Sequence, residues 1–106
     1  MSGILGNRKQ ENKINEMGDI TVQMFPALDP LAVKGTFRNG VQVALAHMKY
    51  GAWDELADQS TEERKRFFQQ VLAGSVERLK MMGLKDGDLK RLFHRLMSEN
   101  EKYVSH

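Results

Sequence analysis

The chain of 106 residues contains no cysteine, only two prolines and no long apolar run. Without cysteine it has neither disulfides nor thiolate metal ligands. Its best apolar run, residues 41–48, includes Gln42 and His47 and falls short of the roughly 18 residues that a membrane span needs. The first residues lack the apolar core of a signal peptide and the Met-Gly start of a myristoylation site. We therefore expect a cytoplasmic protein that does not contact membranes.

Motifs that would bring catalytic or metal-binding groups together are also missing. His47 and His94 lie in different predicted helices, and the His-Glu-x-x-His spacing does not occur. The glycines of residues 35–40 are not followed by the Lys-Ser/Thr of a phosphate loop, and residues 86–88 are too short for a calcium loop. The prediction is that the protein is not an enzyme and uses no metal, cofactor or small-molecule substrate.

The composition is that of an ordinary globular domain, with 41% hydrophobic and 28% charged residues. A chain of this length buries one core but not two independent ones. Sixteen Lys and Arg are mixed with fourteen Asp and Glu, for a net charge of +2. This mild balance neither requires nor excludes a polyanionic partner.

Helix caps are the clearest local signals. Ser60 to Glu63 form a capping box, and Gly83 is suited to a left-handed stop after the apolar stripe that follows. Asp29 before Pro30 starts an earlier helix, which we expect to run to about Tyr50 and to close at Gly51. The last helix is predicted from about residue 87, with Asp86 as its N-cap, and residues 52–58 are predicted to form a short helical turn.

The N-terminal segment is polar and lacks such caps, so we predict a mobile or partly helical arm over residues 1–28. Residues 19–25 fit both a strand and a helix, and helix is preferred because no partner strand is visible. Residues 29–106 form the predicted helical bundle domain. The fold class is therefore all-α: a small bundle of three main helices, a short helical turn and the arm. Apolar residues of the final two helices should meet in its core: Phe67, Phe68, Val71, Leu72, Leu79, Leu92, Phe93 and Leu96.

A surplus of apolar surface suggests contact with another protein or with a second copy of the chain. The helix after Asp29 is apolar around much of its circumference, which requires cover on a second side. Adaptable or aromatic side chains could anchor such a contact, although Trp53 also fits a core position. The candidate partner-binding residues are Val43, Tyr50, Trp53 and Met81.

The alternative function is nucleic-acid binding through a basic helix face. Cations recur at helical spacing on the last helix, where they could neutralise phosphates, although a solvated surface is the simpler explanation of them. The helix begins with Gly87 and Asp88 rather than with base-reading side chains, which argues against a helix-turn-helix. The residues of this alternative are Arg64, Lys65, Lys90, Arg91, His94 and Arg95. A non-catalytic regulator, inhibitor, adaptor or assembly subunit that acts through protein contacts is the first expectation.

Overall fold

A computed structural model describes the backbone of residues 2–104 and the side chains of residues 8–99, and its regular structure is helical throughout that range. The helices are α1 (Ser2–Met24), α2 (Pro30–His47), α3 (Trp53–Ala57), α4 (Thr61–Met81) and α5 (Asp86–Val104). The all-α prediction is confirmed. Helix α1 packs on α2, α2 on α4 and α4 on α5, while contacts between α1 and α5 close the four long helices around one core.

The segment expected to be an arm contributes a full helix to this core. Ile14, Met17 and Thr21 follow one another at helical spacing and are fully buried. Arg38 of α2 donates a 2.8 Å hydrogen bond to the Glu11 carboxylate, which ties α1 to its neighbour. A bundle of three helices with an appended arm is therefore not confirmed, because α1 is one of four long packed helices. The expected boundary near residue 28 falls in the turn between α1 and α2.

Helices α2 and α4 pack closely at Gly40. A Cβ atom at this glycine would lie 2.8 Å from the Ser75 hydroxyl and 3.0 Å from the Val71 carbonyl oxygen. Ser75 is fully buried, and its hydroxyl donates a 2.7 Å hydrogen bond to that same carbonyl. The absence of a side chain at residue 40 therefore sets the separation of the two helices.

Two helices end in the same hydrogen-bond pattern, in which a left-handed residue follows the last turn. At the end of α4 this residue is Gly83, with φ of 104°, as predicted. At the end of α2 it is Lys49, with φ of 63°, and the Tyr50 amide donates back to the Leu45 carbonyl at 2.8 Å. The expected closure at Gly51 was wrong, because Lys49 turns the chain two residues earlier.

The start of α5 also differs from expectation. Asp86 is the first residue of the helix rather than its N-cap. The Asp88 carboxylate accepts a 3.0 Å hydrogen bond from the Lys85 amide, which satisfies a free backbone donor at the helix start. The Ser60 and Asp29 side chains cap their helices as predicted and accept from the Glu63 and Leu31 amides. Of the capping box predicted at Ser60, this Ser60 contact forms, whereas Glu63 Oε1 accepts no hydrogen bond.

The predicted core is confirmed except at Phe93, which is only partly buried at the edge of α5. Substitution of Phe93 should therefore cost less than substitution of a fully buried aromatic such as Phe67. Residues that the sequence associated less firmly with this core, among them Leu56, Leu84 and Met17, are buried within it.

Gly40→Ala tests the close approach of α2 and α4. We expect a net loss of about 1–2 kcal/mol, because overpacking costs about 1–3 kcal/mol and removing a helical glycine returns at most about 1 kcal/mol. Gly35→Ala is the control, since a Cβ at that residue of the same helix meets no atom within 4 Å. Urea unfolding should show Gly35→Ala equally or more stable than the wild type; the same gain from Gly40→Ala would contradict the close approach.

Lys49→Gly should stabilise the protein by about 1 kcal/mol, because an L-residue in the left-handed region costs roughly 1–2 kcal/mol and glycine does not. Lys49→Ala removes the same charge but keeps a Cβ atom, so it should bring no gain. Thermal unfolding of the two variants separates backbone strain from charge. Equal stabilisation by both would assign the effect to the lysine side chain.

Candidate functional site

A cleft of about 410 Å³ opens where α1, α3 and α4 meet. Its volume lies in the range of small-ligand sites, about 300–1,000 Å³. The cleft is lined by Lys9, Asn12, Lys13 and Glu16 of α1, by Trp53, Leu56 and Ala57 of α3, and by Arg64 and Phe68 of α4. We call it the Trp53 cleft.

Aromatic rings form one wall of the Trp53 cleft. The Trp53 ring meets Phe67 edge to face, with ring centroids 5.5 Å apart, and meets Phe68 at 6.4 Å. Buried Leu56 holds α3 against the core, and the Glu55 carboxylate accepts a 2.9 Å hydrogen bond from the Gly51 amide just before α3. These contacts fix the indole of Trp53 at the mouth of the cleft although α3 has only five residues.

Lys13 places a buried cation beside this wall. Its ammonium lies 5.7 Å from the centre of the Phe68 ring and 3.3 Å from the Glu16 carboxylate. Burial lowers the pKa of Lys13, and the carboxylates of Glu16 and Glu99 oppose that shift only in part. The folded protein therefore holds a cation in a place where its charge is disfavoured.

Arg64 carries a further polar group of the cleft. Its Nε atom is buried and has no hydrogen-bond partner. Because this atom is closed to solvent, a molecule in the cleft would meet other atoms of the Arg64 side chain. With Lys9 and Lys13 the lining carries three cations against the single carboxylate of Glu16, so the cleft is positively charged.

The four predicted partner-binding residues do not form one surface. Trp53 lines the cleft, whereas Val43 is 55% exposed in the middle of α2 and Met81 is 86% exposed at the end of α4. Tyr50 is half-buried, and burial raises the pKa of its hydroxyl, with a further rise from the Glu63 carboxylate. Of these four residues, only Val43 and Met81 are therefore freely accessible.

The cations of the alternative function are likewise divided. Arg64 lies in the Trp53 cleft, whereas Lys90 lines a separate groove between α4 and α5 with Val76, Lys80 and Phe93. The structure therefore does not join these residues into one groove.

The remaining members of the basic set are exposed, but two of them are paired with carboxylates of their own helix. Arg91 donates a 2.6 Å hydrogen bond to Asp88, and the Arg95 Nε lies 3.4 Å from Glu99. Lys65 and His94 are exposed. Pairing reduces the positive field that this face presents to a phosphate backbone.

A second candidate surface is the outward side of α2, where exposed residues without charge follow one another at helical spacing. Leu31 is 80% exposed at its start, and Val43 lies three turns further along. Lys34 and Arg38 turn instead towards acidic residues of α1. We define the α2 outer face as Leu31, Ala32, Gln42, Val43 and Ala46.

The sequence analysis missed every cleft residue that α1 supplies. Asn12, Lys13 and Glu16 lie within about one helical turn and point to one face once residues 2–24 are known to be helical. The sequence signal for them is that these polar residues alternate at helical spacing with Ile14 and Met17, which are buried in the structure. Leu31 lies in the first turn of α2, two residues after the Asp29 cap, and outside the apolar arc predicted for this helix.

Comparison with known proteins identifies no relative: no protein-family model matches the chain, and neither a curated protein nor a solved structure matches it. Within the described part of the chain, no group of three or more His, Asp or Glu side chains is placed to hold a metal ion. No helix there is long and apolar enough to cross a membrane. Geometry and charge are therefore the basis for inferring function.

Lys13→Met tests whether the buried cation is an energetic burden. A lysine whose pKa is lowered by folding destabilises the native state below the folded pKa, and the penalty disappears above the ordinary value of 10.5. The variant should therefore be more stable than the wild type at pH 7, with a difference that shrinks towards pH 11. Lys9→Met, at an exposed residue one turn earlier, should stay within about 0.5 kcal/mol of the wild type by urea unfolding. A loss of stability in Lys13→Met at pH 7 would show that the ammonium supports the fold.

Proposed function

We propose that the chain is a non-catalytic binding protein that contacts another protein through the α2 outer face. The observation that supports this is the absence of charge from a long exposed helix face in a chain with 28% charged residues. The cores of protein interfaces are depleted of charged side chains because their desolvation is costly. A regulator, inhibitor, adaptor or assembly subunit fits this kind of activity.

The shape of the α2 outer face favours a helix as its occupant. Gly35 lies on the same side of α2, and a Cβ atom there would meet nothing within 4 Å. A partner helix could therefore come close to the α2 backbone at this point, between Leu31 and Val43. Its contacting side should be apolar or uncharged, since an ionic group would find no partner on this face.

Both ion pairs between α1 and α2 support the same assignment. Lys34 lies 3.8 Å from Asp19 and Arg38 lies 2.8 Å from Glu11, so the two cations of α2 serve contacts within the chain. Arg38 borders the α2 outer face beside Leu31 and Gln42, so a partner there would meet a guanidinium group already paired with Glu11. The α2 outer face is thus a surface that the packing within the chain leaves exposed.

The double variant Leu31→Lys/Val43→Lys should abolish partner binding, because it places two charges in the contact. Met81→Lys is the matched control, since Met81 is equally accessible but lies at the end of α4. Capture from the native cell lysate should be retained by the wild type and Met81→Lys and lost by the double variant. Both variants should be checked for thermal unfolding unchanged from the wild type.

Sedimentation velocity and nuclease treatment decide between the kinds of partner. A monomeric wild type whose captured protein survives nuclease fits binding to another protein. Concentration-dependent self-association that the double variant loses would make the partner a second copy. Loss of all captured material with nuclease would favour nucleic acid, and equal capture by the wild type and the double variant would contradict a role for the α2 outer face.

A further inference from the structure

The Trp53 cleft shares no residue with the α2 outer face, and its chemistry differs from that of a protein contact. It is concave, because three helices bound it, whereas the α2 outer face is a single exposed helix side. It combines an aromatic wall with an excess of positive charge. A concave apolar site with a few convergent polar groups is the usual form of a small-ligand site.

Arg64 identifies the charge that such a ligand would carry. Its buried Nε donor has no partner in the folded chain. The planar guanidinium group of arginine matches the geometry of a carboxylate, and hydrogen bonds between such groups are roughly twice as strong as neutral ones. Because the Arg64 side chain lines the cleft, a carboxylate bound there would lie next to a positively charged donor group.

Lys13 adds a second argument for an anionic ligand. The side chain is buried beside Phe68, where burial disfavours its positive charge. A bound anion would offset this cost and would be attracted by the same charge. Side chains that destabilise the folded state in this way are expected at binding sites rather than at positions that stabilise the fold.

Trp53 and Phe68 define the remainder of the ligand. The two rings lie 6.4 Å apart at an angle of 74°, and the side chains of Leu56 and Ala57 complete the apolar lining. Such a wall suits an aromatic ring or a compact branched alkyl group, since aromatic pairs prefer offset or edge-to-face contact. A highly charged body would gain little from it.

We propose that the Trp53 cleft binds a small carboxylate with an aromatic or compact apolar body, the class of the arylalkanoates. The carboxylate contacts Arg64 with support from Lys13, and the apolar body lies against Trp53 and Phe68. This activity is independent of the α2 outer face and goes beyond protein binding.

Trp53 provides the measurement, because it is the only tryptophan in the chain and lies in the cleft wall. Its fluorescence is titrated with phenylacetate, 3-phenylpropionate and 4-phenylbutyrate. At least one should give a saturable change. The amide and the amine with the same carbon skeleton should bind about tenfold more weakly or not at all, since they lack the negative charge.

Two arginine variants test the assignment of the carboxylate contact. Arg64→Gln should weaken binding of the best carboxylate by about tenfold or more. Arg66→Gln should leave it within about twofold, since Arg66 is exposed on the same helix and does not line the cleft. Arg64→Lys, which keeps the charge but not the planar donor group, should be intermediate.

Lys13→Met separates a binding role from a structural one, because it should weaken carboxylate binding while the protein remains folded and equally or more stable. If Arg64→Gln does not fold, Lys13→Met and the charge series of ligands still decide. The proposal is overturned by equal affinity for the carboxylate, amide and amine, by unchanged affinity in folded Arg64→Gln or Lys13→Met, or by the absence of saturable binding of all three carboxylates up to about 10 mM.

Discussion

The near-contact of the α2 and α4 backbones at Gly40 is the constraint on which the rest of the structure depends. It brings the buried faces of the two helices together around Phe37 and Phe67. Helix α1 then packs on α2, and α5 packs on α4. If α2 and α4 were held further apart, α1 could not pack on α2 and still reach α5. Likewise, α5 could not pack on α4 and still reach α1. The packing of the large core side chains thus depends on a position that has no side chain.

Buried polar groups differ in their hydrogen bonding between the packed interior and the start of α4. The buried hydroxyls of Thr21, Thr36 and Ser75 each donate to a carbonyl oxygen one turn earlier in the same helix. The packed helices therefore contain polar side chains without leaving donors unsatisfied. Within the described chain, the buried side-chain atoms that lack a hydrogen bond are Glu63 Oε1 and Arg64 Nε, at neighbouring positions near the start of α4. Arg64 lines the Trp53 cleft, whereas Glu63 does not and lies 3.4 Å from Arg66.

Local signals in the sequence predicted the parts of the fold that depend on neighbouring residues. Ser60, Asp29 and Gly83 act through hydrogen bonds within a few residues, so their roles were visible in the sequence. Helix α1 lacks such caps, and its burial depends on contact with α2 more than twenty residues away. Lys49 in the left-handed region is a case in which tertiary packing overrides the preference for glycine.

The candidate sites were less predictable for the same reason. Trp53 and Arg64 were both singled out, but for different functions, and only the packing of α3 on α4 unites them in one cleft. The other half of that cleft belongs to α1, whose polar residues resemble those of a solvated segment. Val43 could be found because a charge-free helix face is a property of the sequence itself. A cleft between helices is not.

The two junctions of α2 differ in their physical nature. Its junction with α4 consists of buried apolar groups, whereas its junction with α1 includes two ion pairs whose side chains remain partly exposed. Dissolved salt screens the second kind of contact but strengthens or leaves unchanged the first. Amide hydrogen exchange in α1 should therefore respond more to ionic strength than exchange in α4, although the buried Ile14 and Met17 keep α1 in the common core. Since α1 forms one wall of the Trp53 cleft, these two ion pairs help to hold that wall in place.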